Sequence, residues 1–189
     1  MANVDSNQLH RASTVIQTGG VIAYPTETVW GFGCDPDNQQ AVEQLLTLKQ
    51  RPVEKGLILV AASADQFAPY LDGLEEALVA KFNQSTSKPT TWLVPHNGRA
   101  KDWIRGQFQS VALRVSSRPE VVELCQLVGG PIVSTSANVT GEPTCESEQQ
   151  LQRFLNGAGL DFIVPGELKA NANPSEIRDL ISDKVLRGT

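Results

Sequence analysis

Apolar residues fall at helical spacing near the start of the chain, where Leu9, Ala12, Val15 and Ile16 would share one face. Asp5 or Ser6 would cap that helix and Gly19-Gly20 would stop it. Residues 21–24 read as a short buried strand that exits through Pro25-Thr26-Glu27-Thr28 towards Gly31 and Gly33, where a backbone can turn or approach a ligand. A second helix is predicted over 38–48, with Val42, Leu45 and Leu46 on one face and Asp37 near its start. A buried strand over 57–61 and helical material over 64–82 follow. Strands are then predicted at 91–94 and 111–115, the second with Arg114 alternating against apolar neighbours. Ser117 would cap a helix running to about residue 127, with Pro119 in its tolerated first turn. A strand at 131–133 opens into Ser134-Thr135-Ser136-Ala137-Asn138, followed by a helix over 147–155. Short strands at 162–164, 177–180 and 184–186 close the chain. Alternating strands and helices predict an α/β open sheet with flanking helices, mixed because the late strands are too closely spaced for helical crossovers.

The 189 residues fit one domain spanning 1–189, and 40% hydrophobic with 20% charged residues excludes a disordered, collagen-like or coiled-coil chain. No apolar run approaches the ~20 residues of a membrane-spanning helix. The first residues lack the order of a secretory signal, so the expected setting is the cytoplasm, away from membranes. Three cysteines without a C-x-x-C pair suggest neither a disulfide framework nor a zinc site, and two histidines leave little for a His-based triad. The net charge of -5 argues against indiscriminate nucleic-acid binding and leaves room for a local basic patch.

Four segments carry candidate chemistry. In Lys49-Gln50-Arg51-Pro52-Val53-Glu54-Lys55-Gly56, three cations could converge on phosphates, or could suit the C-terminal dipole of the preceding helix. Pro25 to Thr28 follows a strand, where open α/β sheets bind ligands, and is equally readable as a plain loop. The hydroxyls and amide of 134–138 could bind phosphate or ribose, or cap turns. Arg114 must reach a polar cleft or a salt bridge, because an unpaired buried guanidinium is costly. The Walker-type and dinucleotide-type glycine fingerprints are absent.

Taken in order, Pro25-Thr26-Glu27-Thr28-Val29-Trp30-Gly31, Lys49-Gln50-Arg51-Pro52, Leu113-Arg114-Val115, Ser136-Ala137-Asn138 and Leu186-Arg187-Gly188 resemble the YrdC-like threonylcarbamoyl-AMP synthase family in its short bacterial form. The resemblance implies a twisted open sheet with a concave basic cleft. It also implies a nucleotidyl transfer in which L-threonine, bicarbonate and ATP give threonylcarbamoyl-AMP and pyrophosphate for the N6-threonylcarbamoyladenosine modification of tRNA. By motif, Lys49 and Arg51 would hold the triphosphate and drive catalysis with Lys55 assisting, and Ser110, Ser136, Asn138 and Arg187 would join the ATP site. Thr28, Arg114, Ser136 and Ser175 would contact threonine. Mg²⁺ or Mn²⁺ would ride on ATP without protein ligands of its own, and a threonylcarbamoyl-transferase complex and tRNA are the implied partners. Where the family has a Trp-Pro-Gly-Pro-x-Thr turn, residues 86–91 keep only Pro89 and Thr91, with Lys88 adding a cation. Two rival readings are a non-catalytic module binding tRNA or double-stranded RNA, or serving ribosome maturation, and a carbamoyl-transferring domain like that of hydrogenase maturation proteins. The second is disfavoured because the chain has no accessory zinc-finger or acylphosphatase-like segment.

Overall fold

The computed structural model describes residues 5–84, 86, 88–155, 159–168 and 175–187. Helix α1 (Ser6–Gln17) is capped by the Asp5 carboxylate, which accepts from the Asn7 amide. Strands β1 (Ile22–Pro25) and β2 (Trp30–Gly33) form a hairpin, and α2 (Gln39–Leu48) follows, capped by Asn38 accepting from the Ala41 amide. A 3₁₀ turn (Val53–Lys55) leads into β3 (Ile58–Ala61), then the short α3 (Ala68–Leu71) and α4 (Glu76–Asn83). The remaining elements are β4 (Thr90–Pro95), α5 (Asp102–Arg105), β5 (Ser110–Val115), α6 (Pro119–Val128), β6 (Ile132–Ser136), α7 (Glu148–Leu155), β7 (Phe162–Ile163), β8 (Glu176–Asp179) and β9 (Val185–Arg187).

The strands make one mixed sheet in the order β7-β1-β2-β6-β3-β5-β4-β8-β9. β1 with β7, β3 with β5 and β4 with β8 run parallel, and the other neighbours are antiparallel. The mixing therefore runs through the centre of the sheet, since β3 lies between an antiparallel β6 and a parallel β5, and is not confined to the closing strands.

Alternation along the strands divides the core. Ile22, Tyr24, Val60 and Ile132 pack beneath α1 and α6 with Leu9, Ile16 and Leu124. Ala23, Phe32, Leu59 and Val133 point to the opposite face, with the larger cluster that includes Leu45, Phe67 and Phe154. Cross-strand register gives the face under α1 and α6 a continuation beyond those helices: Gly31 faces Ser136, Ser134 faces Ile58, and Val60 faces Arg114. A helix-free stretch of sheet lined by hydroxyls and one arginine is thus placed beside a well-packed core.

Several local expectations change. The helical stretch over 64–82 breaks at Asp72-Gly73, where Gly73 takes φ +80. The N-cap of α6 is Arg118 without a side-chain capping bond, because the nearby hydroxyl that acts is Ser116, accepting from the Arg118 amide. Gly31 and Gly33 belong to a strand: a Cβ on Gly31 would sit 2.9 Å from Thr26 Cγ2, and one on Gly33 would sit 2.8 Å from Tyr24 Cε1. Their missing side chains make room for the neighbouring strand. The polar run 134–136 extends β6 instead of leaving it. Within the altered 86–91 turn, Ser87 lies outside the described residues, while Thr86 and Thr90 both donate to the Lys88 carbonyl.

Candidate active site

The cavity on the open stretch of sheet has a volume of about 390 Å³. Thr26 to Val29, the four-residue connection of the β1–β2 hairpin, forms one wall. The Thr26 amide donates to the Val29 carbonyl at 3.0 Å and the Thr26 hydroxyl donates to the same oxygen at 2.6 Å, which fixes the turn that presents Glu27 and Thr28. Arg118, only 4% exposed, braces this turn from behind through Nη1 to the Thr26 carbonyl, while Nη2 reaches the Glu167 carbonyl and Glu120 balances its charge.

Thr28, Arg51, Arg114, Ser136, Ser175 and Arg187 all line the cavity. Arg51 donates through Nε and Nη2 to the Gly56 carbonyl and through Nη2 to the Lys55 carbonyl, so the 3₁₀ turn orients it; burial lowers its pKa from the ordinary arginine value. Arg187 donates to the carbonyl of Ser175 at 2.9 Å, and the Ser175 hydroxyl lies 2.9 Å from that of Thr91. Arg114 pairs with Glu27 at 2.9 Å, and the other Glu27 oxygen accepts from Ser116 at 2.6 Å. Burial would raise the Glu27 pKa, but Arg114, the Ser116 hydrogen bond, its own backbone and Arg118 outweigh it, so the net shift is downward and the carboxylate stays ionised. Tyr24 donates to Ser134 on the floor at 2.8 Å, and burial holds its phenol far above the ordinary range.

The other expected residues lie elsewhere. Lys49 is 2% exposed and is absent from the cavity wall. Its ammonium donates to the carbonyls of Ser136 and Asn138 and to Asn138 Oδ1, so its three protons are used in clamping the strand exit. Burial, with the charge of Arg51 adding to it, pushes its pKa down to about 8. Asn138 is likewise internal, accepting from Lys49 and Ser136 and donating to the carbonyls of Val139 and Glu142. Lys55 is exposed on the turn beside Arg51. Ser110 shares the parity of Arg114 but stands at the other end of β5 opposite Pro95, about 13 Å along the strand at ~3.3 Å per residue.

Sequence reasoning passed over Glu27, Ser116 and Arg118. Glu27 lies inside the Pro25–Gly31 motif, where its hydroxyl neighbours carry the more obvious chemistry; nothing local distinguishes Ser116, and Arg118 looks like any polar residue ahead of a helix. A second cavity of about 410 Å³ shares Glu27, Arg114 and Ser116 with the first and is bounded beyond them by Trp92, Phe82 and Lys88. With three arginines and Glu27 as its sole carboxylate among the described residues, the first cavity can receive an anion of several charges.

A family model for Sua5, YciO and YrdC proteins, described as "Telomere recombination", matches residues 14–188. The threonylcarbamoyl-AMP synthase of Cellvibrio japonicus is 47% identical over 180 residues, covering 95% of each chain. P. abyssi Sua5, solved in complex with L-threonine, superposes with a TM-score of 0.86 at 26% identity, covering 98% of this chain and 55% of that one. E. coli YciO shares the fold, with a TM-score of 0.81 at 22% identity over 98% of this chain and 90% of that one. The mixed open sheet, the basic cavity beside it and a match running nearly end to end have one reading: the chain belongs to the Sua5/YciO/YrdC family.

Proposed function

We propose that this chain, acting as one unit over 1–189, is a threonylcarbamoyl-AMP synthase, converting L-threonine, bicarbonate and ATP into threonylcarbamoyl-AMP, pyrophosphate and water. The observation that carries the reading is the convergence of Arg51, Arg114 and Arg187 with the hydroxyls of Thr28, Ser136 and Ser175 on one cavity. It is joined by near-half identity to enzymes of that name.

The amine of threonine and bicarbonate first give a carbamate with loss of water. A carbamate oxygen then forms a bond to the α-phosphorus of ATP as the bond from that phosphorus to the bridging oxygen breaks, and pyrophosphate leaves with the bonding pair. The nucleophile is already an anion, so the protein's task is to hold two anions together and spread the charge that builds on the leaving phosphates. Arg51 and Arg187 supply that charge from the cavity lining, with Lys55 exposed on the same turn as Arg51. Arg114 takes the carboxylate of threonine through donors that Glu27 leaves open, beside Thr28 and Ser175. Lys49 and Asn138 serve ATP through the strand exit they clamp, which sets the Ser136 hydroxyl, and Ser110 lies where the same sheet face extends towards the far end of a nucleotide.

Among the described residues lining the cavity, Glu27 is the one carboxylate a divalent metal could meet. Both Glu27 oxygens are taken by Arg114 and Ser116, and no three potential ligands gather among the described residues. Mg²⁺ or Mn²⁺ would therefore arrive on the phosphates of ATP. The product suits a cytoplasmic threonylcarbamoyl-transferase complex acting on tRNA, and no described helix is long and apolar enough to cross a membrane.

The test is mass-spectrometric detection of threonylcarbamoyl-AMP from protein, ATP, Mg²⁺, L-threonine and bicarbonate, omitting each in turn. Product that requires every component is expected. A folded sample, free of copurified inhibitor, that makes none would overturn the reading.

A further inference from the structure

The threonine side of the cavity depends on one arginine, and that arginine is unusually constrained. The Arg114 guanidinium meets Glu27 through Nη2, while its Nε is buried and has no hydrogen-bond partner among the described residues. A buried donor without a partner is expensive, so this guanidinium is held where it is by its other contacts. Glu27 is held in turn from both sides. Ser116 donates to its second oxygen and is itself fixed by its amide, which donates to the Ala61 carbonyl at the end of β3. The backbone on either side of Glu27 is closed by the Thr26 turn and braced by Arg118.

We propose that Glu27 is a positioning residue for the amino-acid substrate: it fixes the Arg114 guanidinium by one nitrogen so that the remaining donors meet the substrate carboxylate. This inference rests on the proposed function. A flexible arginine would have to be ordered at the moment of binding, losing rotamer entropy and a hydration shell; the Glu27–Ser116 support makes the ordering part of folding. It also confines the effect to the amino acid, since Arg51 and Arg187, on the proposed phosphate side, hang on different backbone carbonyls.

The test is a double-mutant cycle read on both substrates in the threonylcarbamoyl-AMP assay. Glu27→Gln keeps the shape and one acceptor but removes the charge that holds Arg114. The expected result is a rise of about tenfold in the KM for L-threonine, with the KM for ATP within about twofold of wild type. Arg114→Met is expected to raise the threonine KM further. The double variant should then match Arg114→Met alone, because Glu27 acts only through Arg114. An unchanged threonine KM in Glu27→Gln overturns the inference. So does a parallel rise in both KM values, which marks general loosening, or effects that multiply in the double variant, which mark independent contact with the substrate. If Glu27→Gln does not fold, Ser116→Ala removes the other support of the carboxylate and must raise the threonine KM selectively. A wild-type protein whose product does not require threonine would defeat the proposed function instead, a result distinct from all of these.

Discussion

Replacing Lys49 by Met separates what the lysine does for the fold from what it does for the site. Methionine keeps the unbranched stem, so the apolar surroundings near Phe32 are retained and only the ammonium goes. Of its three acceptors, the Ser136 carbonyl keeps the Asn138 amide and Asn138 Oδ1 keeps the Ser136 hydroxyl, while the Asn138 carbonyl loses its only described donor. One orphaned carbonyl costs ~1–3 kcal/mol and each weakened acceptor ~1 kcal/mol, about 3–5 kcal/mol in all. Against this, the ammonium is itself penalised by burial, which pulls it from 10.5 to about 8. At 1.36 kcal/mol per pKa unit its removal relieves about 3 kcal/mol. The net loss is then roughly 0–2 kcal/mol, and the melting temperature should fall by no more than about 8 °C. Activity should respond far more, by about 100-fold or greater, because the Ser136–Asn138 exit loses its clamp and displacements near 1 Å are enough for that. Calorimetry and the product assay, run on one preparation, measure both.

The pH dependence carries its own sign. Lys49 titrates at about 8 in the folded chain and near 10.4 when unfolded, so between those values the unfolded state binds more protons and stability rises with pH. The Met variant should lack that rise, and wild-type activity should decline above pH 8, where a neutral amine has two hydrogens for three acceptors. Wild-type activity in Lys49→Met would refute the clamp. Outright unfolding would show that the three hydrogen bonds outweigh the desolvation.

Two further substitutions probe the supports of the cavity. Arg118→Met strands the Glu120 carboxylate and releases the Thr26 and Glu167 carbonyls, so urea denaturation should show a loss of about 3–5 kcal/mol; a loss under ~1 kcal/mol would mean that the buried arginine is dispensable. Gly106→Ala drives a Cβ into the Glu54 carbonyl oxygen at a φ of +63, and the 3₁₀ turn must shift. Stability should drop by ~1–3 kcal/mol and the KM for ATP should rise while that for threonine holds, since the acceptors that orient Arg51 lie on that turn; equal effects on both substrates would break the link.

What the sequence disclosed follows from which forces are local. Helices α1, α2 and α7 were legible because their apolar faces repeat at helical spacing, and β1, β3 and β5 because they are apolar runs bounded by punctuation. Strand β2 was not, because Trp30-Gly31-Phe32-Gly33 has glycine at every second position, and the reason for those glycines is the Tyr24 ring on the adjacent hairpin arm and the Thr26 methyl in its connection. The four-residue α5 is too short to show a period. Polar Ser134-Thr135-Ser136 looked like a loop since a strand facing a cleft does not need apolar side chains. The cationic loop was visible as composition, but its division of labour was not. Arg51 and Lys49 are two residues apart, and only their partners, the exit of β6 for Lys49 and the turn at Gly56 for Arg51, decide that one lines the cavity while the other is buried. Glu27 likewise acquires a partner 87 positions away through the pairing of strands, which no local pattern reports.

The cavity's three arginines sit in a chain whose net charge is -5, and the arrangement explains how both can hold. Each guanidinium is secured by a different local device: backbone carbonyls of a glycine turn for Arg51, a serine carbonyl for Arg187 and a carboxylate for Arg114. Carbonyl acceptors orient a cation without cancelling its charge, whereas a carboxylate does both. The two arginines assigned to ATP therefore keep their full field for a highly charged ligand. The one assigned to a singly charged carboxylate is partly neutralised by Glu27, which weakens its pull on competing phosphates. Selectivity between the two halves of the cavity then follows from the supports of the arginines, since the arginines themselves are alike. On this assignment, Glu27→Gln should make the proposed threonine half of the cavity bind inorganic pyrophosphate more tightly, and stronger pyrophosphate competition against threonine is the observable. Competition unchanged from wild type would mean that Glu27 orients Arg114 without screening it.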